Sequence, residues 1–148
     1  MAALLIIAHA PLASSLRAVA AHVYPDCGRQ LAALDVEAGT GPEQVVVQAN
    51  TMLAALGAPE ALILTDVFGA TPCNAALALA DGKRIRVVAG VNVPMLWRTL
   101  CYGDLPLEEL VARAVAGGTQ GVMQVGATRR QNQAHPTIHD DQDKHHDQ

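Results

Sequence analysis

Leu4-Leu5-Ile6-Ile7-Ala8-His9-Ala10-Pro11 carries an apolar run that ends abruptly in a polar turn. A run this short and this uniformly apolar reads as a strand buried on both faces, the form strands take in a parallel sheet covered by helices. Pro11 has a fixed φ that suits the first position of a helix. From Ser14 to about Val23 the chain continues with helical spacing, and Leu12, Leu16, Val19 and Ala20 fall on one side.

The same unit recurs along the chain. Leu31 to Val36 is a second strand, and Gly39-Thr40-Gly41-Pro42 opens a helix from Glu43 to Leu56, with Val46, Ala49, Leu53 and Leu56 on one face. Ala61 to Asp66 is a third strand; it turns through Val67-Phe68-Gly69-Ala70-Thr71-Pro72 into a helix from Cys73 to Ala80. Arg84 to Ala89 is a fourth strand, and Gly90 to Pro94 leads into a helix from Met95 to about Cys101. Leu107 to Ala116 is a further amphipathic helix, with Gly117-Gly118 expected to stop it, and Gly121 to Gly126 reads as a last short strand. This alternation predicts an α/β domain over residues 1–127: a mostly parallel open sheet with helices on both faces.

The composition agrees with one such domain. The chain has 148 residues, 51% hydrophobic and only 3% aromatic, so its core is built from Ala, Leu, Val and Ile. A net charge of −4 and scattered aromatic residues exclude the basic face or stacking platform of a nucleic-acid binder. Neither Gly-x-Gly-x-x-Gly nor Gly-x-x-x-x-Gly-Lys-Ser/Thr occurs, so a nucleotide site has no support. Cys27, Cys73 and Cys101 are odd in number and widely spaced, as expected of reduced, mostly buried thiols rather than a disulfide or zinc framework. The N-terminal run lacks a basic region and is too short to span a bilayer, so a cytoplasmic chain is expected. Residues 128–148 are rich in Gln, His and Asp and are expected to be a disordered tail. Its histidines form no preformed ligand set, and neither a metal nor another cofactor is expected.

In open α/β sheets the ligand site lies beyond the carboxyl ends of the strands, where strand order reverses. His9, Asp66 and Asn92 each follow a strand and precede a proline that opens a helix, so all three are expected at one sheet edge. If the first and third strands are neighbours, His9 and Asp66 lie close together. A carboxylate can accept one ring N–H of a histidine, fix its tautomer and leave the other nitrogen as a nucleophile. Thr71 adds a hydroxyl, and the helix start after Gly69 and Ala70 offers backbone N–H groups to an anion. Nucleophilic nitrogen, orienting carboxylate and anion cradle together suit phosphoryl transfer.

Three segments carry a resemblance to a known family. Ile6-Ile7-Ala8-His9, Leu64-Thr65-Asp66-Val67-Phe68-Gly69-Ala70-Thr71-Pro72-Cys73-Asn74-Ala75-Ala76 and Ala89-Gly90-Val91-Asn92-Val93-Pro94-Met95-Leu96 resemble the IIA domain of the mannose/fructose-type sugar phosphotransferase system (PTS EIIA), over residues 3 to 126. The resemblance implies a phosphocarrier. His9 is then the histidine phosphorylated at its tele nitrogen by phosphorylated HPr. Asp66 orients its ring, Thr71 stands beside the phosphate, and Gly69, Ala70 and Asn92 line the loops around it. It also implies a homodimer in which the last strand is exchanged between subunits as an antiparallel edge. Ala10-Pro11 and Ala70 stand where the family commonly has Gly, which can narrow a partner's approach. No IIB domain is read after residue 127, so the acceptor is expected to be a separate IIB-type protein. The membrane is then reached only indirectly, through a IIC/IID permease. The alternative is a regulatory phospho-switch that controls partner proteins without sugar transport. A receiver domain phosphorylated on Asp66 is disfavoured, because it needs an acidic pair after the first strand, where His9 stands.

Overall fold

The computed structural model describes residues 1–26 and 31–126. It contains β1 (Ala3–His9), α1 (Leu12–Val23), β2 (Leu31–Val36), α2 (Pro42–Leu56), β3 (Ala61–Thr65), α3 (Thr71–Leu79), β4 (Ile85–Ala89), α4 (Val93–Cys101) and α5 (Leu107–Gln120). Cys27, the 128–148 tail and its histidines lie outside the described residues.

The strands form one sheet in the order β2-β1-β3-β4, and every pairing is parallel. Parallel strands need crossover connections, and here a helix makes each one. Side chains alternate across a strand. Leu4, Ile6 and Ala8 of β1 therefore join a core with α1, α4 and α5, while Leu5 and Ile7 join the opposite core with α2 and α3. Leu5, Ile6, Ile7, Leu62, Ile63 and Leu64 are fully buried, and each stabilises the fold by roughly 1.5–3 kcal/mol through removal of apolar surface from water. The two central strands are apolar up to their last residues, His9 and Thr65, because both faces are covered, which is why they read as continuous runs.

Strand order reverses between β1 and β3: β1 connects through α1 to β2 on one side, and the chain then crosses to β3 on the other. The end of β1 and the end of β3 are thereby adjacent at the switch point. The paired register Ile7↔Thr65 places His9 and Asp66 just beyond the last rung.

Four local expectations are corrected. Pro11 is the N-cap of α1 rather than its first helical residue. Gly117-Gly118 does not stop α5, which runs on to Gln120. Both glycines are buried where α4 packs: a Cβ on Gly117 would fall 2.8 Å from the Arg98 Cβ, and one on Gly118 would fall 2.7 Å from the Met95 Cε. Their lack of side chains serves close helix–helix approach, and it outweighs their poor helix propensity. Residues 122–126 form no strand, for no strand among the described residues pairs with them, and Val122, Met123 and Val125 are exposed. Cys101 is exposed at the end of α4, whereas Cys73 is buried as expected; both are free thiols.

Candidate phosphoryl-transfer site

His9 is the last residue of β1 and Asp66 the first after β3. The Asp66 Oδ2 accepts from the His9 backbone N–H at 3.0 Å and lies 2.6 Å from the His9 Nδ1. The Asp66 Oδ1 accepts the Val67 N–H at 2.9 Å. One carboxylate thus holds the backbone and the ring of His9 together, and is itself held by its own loop. Burial alone pushes the Asp66 carboxyl upward and is the largest single influence. The His9 backbone N–H, the His9 ring, the Val67 N–H and the charge of the ring together outweigh it, so the carboxyl sits below its ordinary value of 3.8.

An ionised carboxylate can only accept. The proton between the two groups therefore belongs to the His9 Nδ1, and the neutral ring keeps its lone pair on Nε2. Exposure matches this division of labour: the His9 side chain is 53% exposed, the Asp66 side chain 13%. The orienting group is mostly sheltered, and the ring it orients faces solvent.

The loop after Asp66 leads directly into α3. Gly69 has φ +94°, a left-handed conformation that only glycine adopts without strain, and it turns the chain towards the helix. Ala70 is the N-cap and supplies no side-chain cap. Pro72 sits in the first turn and has no N–H to satisfy. The N–H groups of Thr71 and Cys73 open the helix with the partial positive charge of its dipole. Four helices, α1 to α4, follow strands at this edge. The first turn of α1 is bonded by a carboxylate, α2 has Glu43 in its first turn, and α4 is capped by Asn92. Among the described residues, α1 has no cap or acid of its own but is bonded by that carboxylate from β2, and α3 alone of the four has neither a side-chain cap, an acid in its first turn nor a carboxylate bonded there.

The expected residues therefore separate. His9 and Asp66 are in contact, and Gly69, Ala70 and Thr71 form the loop and helix start that follow Asp66. Asn92 is committed elsewhere: its Oδ1 accepts the Met95 N–H at 2.9 Å and its Nδ2 donates to the Gly118 carbonyl at 3.1 Å, joining α4 to α5. Two features of this edge were not read from the sequence. Phe68 is 76% exposed, an unpaid apolar surface in the same loop as Asp66. Asp35 and Ser14 bond to each other beside the turn after His9. A lone acid at the end of the apolar strand Leu31 to Val36 was the signal available for the second, the same signal that singled out Asp66.

The geometry can be set beside known proteins. The sequence profile of the EIIA-man family, the phosphotransferase-system fructose IIA component, matches residues 3–116. The chain belongs to that family. The mannose-specific EIIAB component of Escherichia coli (strain K12) is 39% identical over 93 residues, which cover 60% of this chain and 29% of that protein. This IIA chain thus aligns with less than a third of its curated relative. Among solved structures, the mannose/sorbose-specific IIA subunit of Enterococcus faecalis superposes with a TM-score of 0.78 over 87% of this chain and 98% of its own, at 23% identity. The EIIA component of Streptococcus agalactiae gives 0.74 over 84% and 97%, also at 23% identity. At that identity the two structures support the α/β fold alone. Family membership implies a phosphocarrier role in the sugar phosphotransferase system. No helix among the described residues is long and apolar enough to cross a membrane.

Proposed function

We propose that the chain takes a phosphoryl group from phosphorylated HPr onto the His9 Nε2 and passes it to a IIB-type acceptor, in the cytoplasm. The observation that carries this reading is the His9–Asp66 pair, with its 2.6 Å contact at Nδ1 and an exposed ring. The Nε2 lone pair attacks the phosphorus on the donor histidine, the donor P–N bond breaks, and the electron pair of that bond returns to the donor ring. Positive charge builds on the His9 ring as the new bond forms, and the Asp66 carboxylate stabilises it without a change in its own protonation. The N–H groups at the start of α3 and the Thr71 hydroxyl face the charge on the phosphoryl oxygens. The acceptor step runs the same geometry in reverse.

Incubation with phosphorylated HPr tests this. Wild type is expected to gain one phosphoryl group that is acid-labile and base-stable, and His9→Ala none. Label that persists in His9→Ala overturns the assignment.

The same reading includes a homodimer. β4 is an edge strand, and a cavity of about 260 Å³ beside it is lined by Val88, Ala89, Val115 and Val122, among others. Val122, Met123 and Val125 follow, all exposed. An edge with no partner among the described residues, next to an apolar segment without a strand, supports exchange of that segment onto β4 of a second copy.

A further inference from the structure

The second acid at the functional edge, Asp35, plays no part in holding the His9 ring, yet it is built into the turn beside it. Asp35 is the penultimate residue of β2, level with Ala8 of β1, and Val36 is level with His9. The Ala10 N–H donates to the Val36 carbonyl at 3.0 Å, so the β1–β2 ladder continues one residue beyond His9. The Asp35 Oδ1 accepts the Ser14 backbone N–H at 3.0 Å, and its Oδ2 accepts the Ser14 hydroxyl at 2.5 Å. The Ser14 Oγ also lies 3.3 Å from the Pro11 carbonyl. A hydroxyl has one proton, and the shorter contact to a charged acceptor takes it.

Ser14 is the third residue of α1, and α1 has no side-chain cap of its own at Pro11. Asp35 therefore reaches across from β2 and fills the anion position at the start of α1. In this class of fold the first strand–helix turn is an ordinary place for a phosphate to sit, because a helix N-terminus attracts negative charge. Here that place directly follows His9, and a carboxylate already holds it. The start of α3 on the other side of the sheet is left without an acid.

We propose that Asp35 is a positioning residue for the transfer: by occupying the start of α1 with its own charge, it keeps the phosphoryl group on His9 from settling there and turns it towards α3. This rests on the phosphocarrier reading. A phosphoryl group held at both helix starts would be more stable on His9 and harder to pass on. Asp35 keeps the carried group transferable.

Charge and geometry can be separated. In Asp35→Asn the amide oxygen still accepts the Ser14 N–H, and the amide N–H can donate to the Ser14 Oγ, whose proton then turns to the Pro11 carbonyl. Asp35→Ser is a second neutral variant. Ser14→Ala removes the hydroxyl and leaves the Asp35 charge in place. Each protein is equilibrated with phosphorylated HPr, and each is loaded separately with phosphoramidate, which transfers its phosphoryl group to an imidazole nitrogen and releases ammonia. Both neutral variants are expected to shift the equilibrium towards the phosphorylated form about two- to fivefold at low ionic strength, the size of a charge effect at a helix terminus. That shift is expected to shrink towards wild type at about 1 M salt. Ser14→Ala is expected to match wild type throughout. No shift in folded neutral variants, a shift that survives high salt, a shift reproduced by Ser14→Ala, or neutral variants that do not fold would each overturn the proposal. A wild type that takes no phosphoryl group at His9 from either donor would instead overturn the phosphocarrier reading itself.

Discussion

Replacing Asp66 by Asn keeps the size of the side chain and removes its charge. The carboxylate now accepts three N–H groups, two on Oδ2 from His9 and one on Oδ1 from Val67. An amide has a single acceptor oxygen. Turned towards His9, it keeps both His9 bonds at neutral strength and sets its NH2 against the Val67 N–H. The larger effect falls on the transition state, where the ring becomes positive. A full opposite charge about 4 Å away is worth about 4 kcal/mol at an effective dielectric of about 20. The His9 side chain is 53% exposed, so solvent screens part of this. About 2–3 kcal/mol remains, or roughly 30- to 150-fold in rate. Rapid-quench measurement of single-turnover transfer from phosphorylated HPr reads this directly. A folded Asp66→Asn protein within threefold of wild type, with His9→Ala inert, would show that the carboxylate has no part in the chemistry.

Other consequences follow from the same contacts. In wild type the neutral His9 ring is expected as the Nδ1–H tautomer by ¹⁵N NMR, and Asp66→Ala should return it towards the ordinary mixture. The Asp66 carboxyl is depressed in the fold, so its stabilising contribution is complete above the unfolded value of 3.8 and is lost as pH falls through the lower folded value. Urea titrations of wild type and Asp66→Asn should therefore converge as pH falls below 3.8. Asn92→Ala removes a helix cap and the tie to the Gly118 carbonyl, and should cost about 2–3 kcal/mol in chemical denaturation while His9 still accepts a phosphoryl group. Gly121→Ala would place a Cβ 2.4 Å from the Pro94 ring and should destabilise by about 1–3 kcal/mol in the same measurement. Val122→Asp with Val125→Asp should turn a dimer into a monomer by light scattering; a wild type that is already monomeric would refute the exchanged segment.

What could be read in advance was whatever depends on near neighbours in sequence. Leu4 to Ala8 and Ala61 to Thr65 announced themselves because strands buried on both faces have no polar phase to hide in. His9 and Asp66 were legible because strand ends at a switch point share an edge, whatever the details of packing. The misread features depend on what lies across space. Gly117-Gly118 looks like a stop until α4 is packed against it. Gly121 to Gly126 alternates like a strand, but a strand needs a partner, and the described chain holds none for it. Asn92 sits at a strand end just as His9 and Asp66 do, yet its amide is spent on α4 and α5. Asp35 shows as a lone acid at a strand end, but its role depends on Ser14, which lies on another element and shares no local pattern with it.

The close fit of Gly121 against Pro94 also decides where the chain departs. α4 begins at the strand ends that carry His9 and Asp66, and α5 runs back along it, so its last turn finishes at that same edge. Whatever the polypeptide carries beyond this point starts its path from the His9–Asp66 edge of the sheet. Any domain joined beyond that point would be tethered to this edge of the sheet rather than recruited to it. Its encounter with the histidine is then governed by the length and stiffness of the tether, not by bulk concentration. Two glycines that let helices touch, and a third that abuts a proline, thus set the point from which a carrier would deliver its load.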